Sequence, residues 1–339
     1  MSNRSQNAPE GIPPPPAGHA QMHVARTHDI DEQAALLRGW NQTYDQMSAG
    51  SFQGAFLEAN IERVQLFREV TSNALYQTGV LGAGTVAVGV PLALSGNATF
   101  CGRQCDGTQL HVFSGDEAFE FFSPCGLDMA GFVFAEENLR SVLTADECDA
   151  VMGVLRKPHL RSVSAQNADR LRQLFVDACD VLTQSPGIAL DTLRLSAMTR
   201  DITAGLASAL ALETDEVGEP LRPSRRSHIV SQVRELAAQG RDGSALTVED
   251  LCRNLGVSRR ALQYCFLETV GIRPSTYLRA VRLNGARRSI KHATSVADAA
   301  ALWGFWHFGR FAHDYKSMFG ELPSEAFRRF HRSKSLPVD

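Results

Sequence analysis

The sequence predicts an α+β chain with a β-rich N-terminal part and a basic, all-α C-terminal part. Three observations carry this reading. Of the 339 residues, 222–339 hold 20 Lys and Arg against 10 Asp and Glu, a net of +10 hidden inside an overall −3. The remaining residues, 1–221, hold 14 against 27, a net of −13. The hydrophobic period shifts from short runs between Phe52 and Phe134 to helical stripes after Thr144. The basic part also repeats itself. A chain divided into acidic and basic parts points to a polyanion as the partner of the basic one. With 44% hydrophobic and 21% charged residues, wholesale disorder and fibrous repeats are excluded.

The first 25 residues are polar, include Pro13 to Pro16 in a row and read as a flexible tail without a signal peptide. From Asp31 to Met47, the three- and four-residue spacing of Ala34, Leu37, Trp40, Tyr44 and Met47 predicts a helix. Runs rich in Val, Phe, Leu and Thr then alternate with Gly, Asn, Asp and Pro: Phe52–Leu57, Val64–Phe67, Thr85–Val90, Leu110–Phe113, Ala118–Phe122 and Met129–Phe134. Such spacing predicts the strands of a sandwich or small barrel. The charge-free run from Thr78 to Gly102 is interrupted by five glycines and Pro91, so it reads as strands and turns rather than a membrane span. Thr144 and Glu147 make a capping box that opens a helix to Leu155. Two longer helices follow, about Ala165–Leu182 and Ile188–Leu212, broken at Ser185-Pro186-Gly187. Leu171, Leu174, Phe175, Ala178 and Leu182 form a stripe on the first, suited to packing on the β unit or on another copy of the chain. Residues 213–224, polar and carrying two prolines, read as a linker.

In the basic part, Val248, Leu251, Cys252, Leu255, Gly256 and Val257 match Val296, Ala299, Ala300, Trp303, Gly304 and Phe305. Leu262, Phe266, Gly271, Pro274, Ser275 and Arg279 match Phe311, Tyr315, Gly320, Pro323, Ser324 and Arg328. The offset is 48 before the turn and 49 after it, so the second turn contains one extra residue. Each copy has a short helix capped by Thr247 or Ser295, a turn at Gly256 or Gly304, and a second helix starting near Ser258 or His307. These are two helix-turn-helix motifs, 247–270 and 295–319. Leu262, Cys265, Phe266 and Val270 form the core stripe of the second helix in copy one; Phe308, Phe311, Tyr315 and Phe319 form it in copy two.

The outward faces carry the binding chemistry. Copy one shows Arg259, Arg260, Gln263 and Tyr264; copy two shows His307, Arg310, His313 and Lys316. Arg grips guanine and Gln grips adenine bidentately in the major groove of double-stranded DNA. On one lone helix such residues read as a solvated face, but two copies in a part of net +10 favour nucleic acid. Between the copies, Pro274 to about His292 predicts one helix, with Leu278, Val281, Gly285 and Ile290 inward and Arg279, Arg282, Arg287, Arg288 and Lys291 around the rest. It spans about 27 Å, enough to set two recognition helices in successive major grooves about 34 Å apart.

These residues resemble the AraC/XylS family of transcription regulators over roughly 222–333. The resemblance lies in the doubled motif, in GVSRRALQYCF and in WGFWHFGRFAHDYKSMFGELPSEAFR. His313 stands where many members carry Arg. The N-terminal segment DEQAALLRGWNQTYDQMSAGSFQG, followed by strands, resembles the effector domain of the subgroup containing the XylS and ethanolamine-operon regulators. The resemblance implies a cupin-like β-barrel over 26–160 that senses a small molecule, dimerisation helices over 161–212, and a DNA-binding domain over 225–333. It further implies a homodimer acting on RNA polymerase in the cytoplasm, a ligand-responsive activator of a metabolic operon. The alternative is a regulator without an effector, whose N-terminal domain only dimerises or binds a protein.

Enzyme chemistry finds no support in the sequence. There is no G-x-S-x-G, P-loop, or G-x-G-x-x-G entering a helix. The predicted strands hold one histidine, His111, which reads as a hydrogen-bonded or surface residue; His19, His23 and His28 lie in or beside the tail. No metal or cofactor is expected. Seven scattered cysteines make no disulfide framework and fit a reducing compartment, and Cys101 and Cys105 read as two buried or half-buried thiols.

Overall fold

The computed structural model describes residues 21–61, 64–135, 139–140, 143–184, 192–211, 225–239 and 246–332. Most of the tail, the break at 185–187 and the linker at 213–224 lie outside the described residues. The first strand, β1 (Gln21–Thr27), opens inside the segment read as tail. It is followed by α1 (Ile30–Leu36), β2 (Trp40–Gln46), β3 (Gly54–Ile61), β4 (Val64–Thr71), β5 (Leu75–Leu81) and β6 (Thr85–Ala93). Then come β7 (Ala98–Phe100), β8 (Arg103–Cys105), β9 (Gln109–Ser114), β10 (Phe119–Ser123) and β11 (Leu127–Ala135). The N-terminal part closes with α2 (Ala145–Leu155), β12 (His159–Ser162), α3 (Ala165–Gln184) and α4 (Thr192–Ala211).

The helix expected over 31–47 is therefore corrected. Only its first turns form, and Trp40–Gln46 pairs with Leu75–Leu81 as a strand. Gly39, at φ 77°, breaks the helix, and Trp40, Thr43 and Tyr44 suit a pleated surface.

The strands form a seven-stranded sheet, β1-β3-β4-β11-β6-β9-β12, and a five-stranded sheet, β2-β5-β10-β7-β8. They face each other across an aromatic core of Phe56, Phe67, Phe100, Phe113, Phe119 and Phe121. Among the described residues no strand pair joins the two sheets, so the expected barrel is an open two-sheet unit. The larger sheet is buried on both faces, which explains its nearly continuous apolar runs. Along β11, Met129 and Val133 face the smaller sheet, while Ala130, Phe132 and Phe134 face the helices. The stripe Leu171, Phe175, Ala178 and Leu182 of α3 packs on that helical side, with the Phe175 ring 6.1 Å from Phe132. Of the two partners the stripe suits, the β unit and another copy, it is the chain's own sheet that covers it; residue 161 lies within β12.

His111 on β9 departs from its sequence reading. It is fully buried between Phe100 and Phe121, and neither ring nitrogen has a hydrogen-bond partner among the described residues. Burial pushes its pKa down to about 3, so the ring is neutral. Cys101, in the turn of the β7–β8 hairpin, and Cys105, at the end of β8, are free thiols, half-buried and buried, and burial pushes both up to about 12.

The basic part contains α5 (Arg225–Gln239), α6 (Val248–Leu255), α7 (Arg259–Val270), α8 (Pro274–Ile290), α9 (Val296–Leu302), α10 (Phe308–Phe319) and α11 (Pro323–Arg332). Its core draws on every helix and continues into Met47, Tyr76 and Phe122 of the β unit. On α8 and at its C-terminal end, cations placed around the apolar positions find acidic partners in the β unit. Arg287 is only 3% exposed and pairs with Asp29 at 2.5 Å and Asp31 at 3.1 Å. Arg288 pairs with Asp45 at 2.7 Å, and Lys291 with Asp31 at 2.5 Å. Asn284, fully buried, accepts from the Gln46 amide at 3.0 Å and donates to its carbonyl at 2.9 Å, satisfying the free edge of β2. The charge split of the sequence is thus partly an internal complementarity between α8 and the N-terminal acids.

Candidate nucleic-acid interface

Each helix-turn-helix is built by local rules the sequence states openly. The Thr247 hydroxyl accepts from the Asp250 amide while the Asp250 carboxylate accepts from the Thr247 amide, closing the start of α6. Leu251 is buried, and Gly256 ends the helix at φ 62°, a left-handed conformation that turns the chain into α7. Ser258 then caps α7 by accepting from the Ala261 amide at 3.2 Å. Leu262, Cys265, Phe266 and Val270 face the core as expected.

The second copy repeats the plan with different supports. Ser295 caps α9 by accepting from the Asp298 amide, and Gly304 takes φ 70°. Its turn is gripped from α8: Arg282 donates to the carbonyls of Trp303 at 2.8 Å and Gly304 at 2.7 Å, with its guanidinium 4.3 Å above the Phe305 ring. Trp303 donates to the Ser289 hydroxyl and lies against Gly285, where any side chain would collide with the indole. Phe311, Tyr315 and Phe319 are buried, but Phe308, expected in the same stripe, is 49% exposed. His307 occupies the cap position of α10 without a side-chain hydrogen bond.

All eight residues singled out from the sequence are exposed. Arg259, Arg260, Gln263 and Tyr264 line the outer face of α7; Arg310, His313 and Lys316 line that of α10, with His307 at its cap. Two grooves gather some of them. One of about 420 Å³ runs between the start of α6 and α10 and is lined by His307, Arg310, Arg279, Arg282 and Trp306. The other, of about 140 Å³, brings Arg259 and Gln263 beside Arg273 and Pro274. Arg259 reaches Glu249 at 3.1 Å, and the Arg226 guanidinium sits 4.8 Å over the Tyr264 ring. Arg279 pairs with Asp314.

The β unit reaches both candidate recognition helices, α7 and α10, at their C-terminal ends. Thr99 donates to the Thr269 carbonyl at 2.5 Å and Gln104 to the Glu268 carbonyl at 2.6 Å, both on α7. On α10, the Met318 carbonyl accepts from the Gln46 side chain at 2.6 Å and from the Gly50 amide at 3.1 Å. Asn97 lies against Gly271 and Ser51 against Gly320, the equivalent glycines of the two copies. The N-terminal ends, where the candidate readers cluster, remain open.

Sequence reasoning missed two kinds of residue. Trp306 and Phe308, 68% and 49% exposed, escaped because aromatic side chains at helical spacing suggest core; the one-residue insertion in the second turn was the available signal. Asn284 and Arg287 escaped because their partners lie more than 230 residues away.

Residues 251–329 match the family described as "Helix-turn-helix domain". The chain is 42% identical over 87 residues to the probable thc operon regulatory protein of Rhodococcus erythropolis, covering 24% of this chain and 26% of that one. It is 36% identical over 89 residues to XylDLEGF operon transcriptional activator 3 of Pseudomonas putida, covering 25% and 27%. These matches span about a quarter of the length of those relatives. Among solved structures, the match to the AraC-like transcriptional activator CuxR covers 83% of this chain and 100% of that one, at 15% identity and a TM-score of 0.41.

Proposed function

We propose that this chain carries in its C-terminal part a DNA-binding domain of the AraC/XylS kind and is a sequence-specific DNA-binding transcription regulator, a ligand-responsive activator of a metabolic operon. The observation that carries the reading is the doubled helix-turn-helix, whose inward stripes are buried while Arg260, Gln263, Arg310 and His313 stand open on the outer faces. Its partners are double-stranded DNA, entered through the major groove, RNA polymerase, a second copy of the chain and a small-molecule effector.

Two features support ligand response. The β unit holds the C-terminal ends of both recognition helices, so a ligand that favours one arrangement of that unit biases their placement. His111, neutral and without a hydrogen-bond partner among the described residues, suits a neutral hydrogen-bonding group. The test is selection of bound genomic fragments by the full chain, followed by melting and binding measurements with metabolites of the neighbouring genes. A preferred promoter and one metabolite that shifts both melting and DNA affinity are expected. DNA binding that no metabolite alters, with a protein captured on the N-terminal part, would favour the effector-free alternative.

A further inference from the structure

The two recognition helices are equivalent at an offset of 49 residues: α7 runs from Arg259 to Val270 and α10 from Phe308 to Phe319. At that offset the first outward positions of the copies differ in chemistry. Phe308 stands where copy one has Arg259, Gly309 where it has Arg260, and Arg310 where it has Ala261. Trp306 is the neighbour of the cap residue in the turn that carries the extra residue. Phe308 and Trp306 are 49% and 68% exposed, so burial in the chain's own core does not account for them. Gly309 is equally unexplained by packing: a Cβ there would meet nothing within 4 Å, and glycine weakens a helix. The result is an open apolar ledge with a bare backbone step beside it.

The surroundings say what covers the ledge. His307, Arg310, His313 and Lys316 are exposed around it, and Arg282 lines the adjoining groove. The one acid on α10, Asp314, is engaged by Arg279. An occupant that is apolar at the ledge and anionic at its rim fits a duplex whose thymine methyls project into the major groove between phosphates. A thymine methyl is read by apolar contact, whereas guanine and adenine are read by forked donors such as those of copy one.

We propose that Trp306 and Phe308 make the second helix-turn-helix a thymine reader, so that the two copies read chemically different segments: copy one hydrogen-bonds purines and copy two packs against thymine methyls. This rests on the reading of the chain as a sequence-specific DNA-binding protein. Arg310 and His313 then position copy two on flanking base edges and phosphates, and Gly309 leaves room for the methyl to approach the helix backbone.

The experiment replaces each thymine of the selected site, one at a time, by deoxyuridine, which lacks only the methyl, and measures affinity for the full-length chain. Loss of roughly fourfold is expected for each contacted methyl, the worth of one buried carbon. It should be confined to the segment whose preference Arg310→Ala alters. Phe308→Ala should bind thymine and deoxyuridine sites alike, and Phe308→Arg, which restores the side chain found in copy one, should shift the preference there toward guanine. Melting of each variant confirms that it is folded. Specific binding that is indifferent to deoxyuridine throughout overturns the thymine assignment while leaving the regulator reading intact. Equal sensitivity of the wild type and Phe308→Ala overturns it as well, and a chain that selects no DNA sequence overturns both.

Discussion

Arg260 and Arg310 make no ion pair among the described residues, whereas Arg259, Arg279, Arg287 and Arg288 each have a carboxylate partner. A guanidinium already held by the protein gives up that contact before it can read a base, so these two are expected to be the main hydrogen-bonding readers. Arg260→Ala should relax preference in one DNA segment and Arg310→Ala in the other, each by about 1–3 kcal/mol of discrimination. Lys316→Ala should instead weaken all sequences alike and lower the salt slope by about one unit, as loss of a phosphate contact does. Binding selections and affinities at two salt concentrations separate these outcomes. Titration gives a second prediction at this scale. Burial pushes the carboxyl of Glu69 up to about 7, against the hydrogen bonds donated by Gln33 and Tyr44. The folded chain then keeps a proton that the unfolded chain has released, so stability falls as pH rises from about 4.5 to about 7. Asp29 acts in the opposite sense: burial alone would raise its pKa, but the charges of Arg287 and Lys291 hold it down to about 2. Its contribution is present above the ordinary value of 3.8 and is lost as pH falls toward 2. Glu69→Gln should flatten the melting temperature between pH 4.5 and 7, and an unchanged slope there would remove Glu69 as its source.

Among the elements, the turn of the first helix-turn-helix is the most sharply defined by its residue type. Gly256 adopts φ 62°, and a Cβ there would touch nothing within 4 Å, so Gly256→Ala tests backbone conformation alone. It should cost about 1–2 kcal/mol, read as a lower denaturation midpoint with an unchanged slope. The same local rules explain what was legible beforehand. Caps at Thr247, Ser258 and Ser295 and glycines at 256 and 304 fixed the helices of the basic part, because each is settled within four residues of sequence. Strands β6, β9, β10 and β11 were visible as apolar runs for a similar reason. The β2 strand was not: Trp40, Tyr44 and Met47 also fit a helical spacing, and pairing with Leu75–Leu81, some 35 residues on, decides the matter. Phe308 was misread for a related reason, since periodicity shows which residues share a face but not which face a partner covers. The stripe on α3 was legible, with the β unit as one of its two expected partners; the strand order of the sheet that buries it was not.

Over the whole molecule, the two parts are joined by a buried polar interface rather than a linker alone. Arg287 and Asp29 are nearly inaccessible, so Arg287→Ala leaves an acid buried with much of its compensation gone and should cost roughly 3–5 kcal/mol. Arg287→Ala combined with Asp29→Asn should recover part of that loss. If the two changes simply add in chemical denaturation, the pair is not the contact that matters. Because the β unit touches the equivalent C-terminal ends of both recognition helices, the domain is expected to present them to DNA as one body. A single chain is expected to read two DNA segments through two unlike helices. Hydroxyl-radical footprinting of the full chain on its selected site tests this most directly. Two protected segments about one helical turn apart are predicted, with Arg260→Ala erasing one and Arg310→Ala the other. A single protected segment, or protection that both variants leave unchanged, would contradict it.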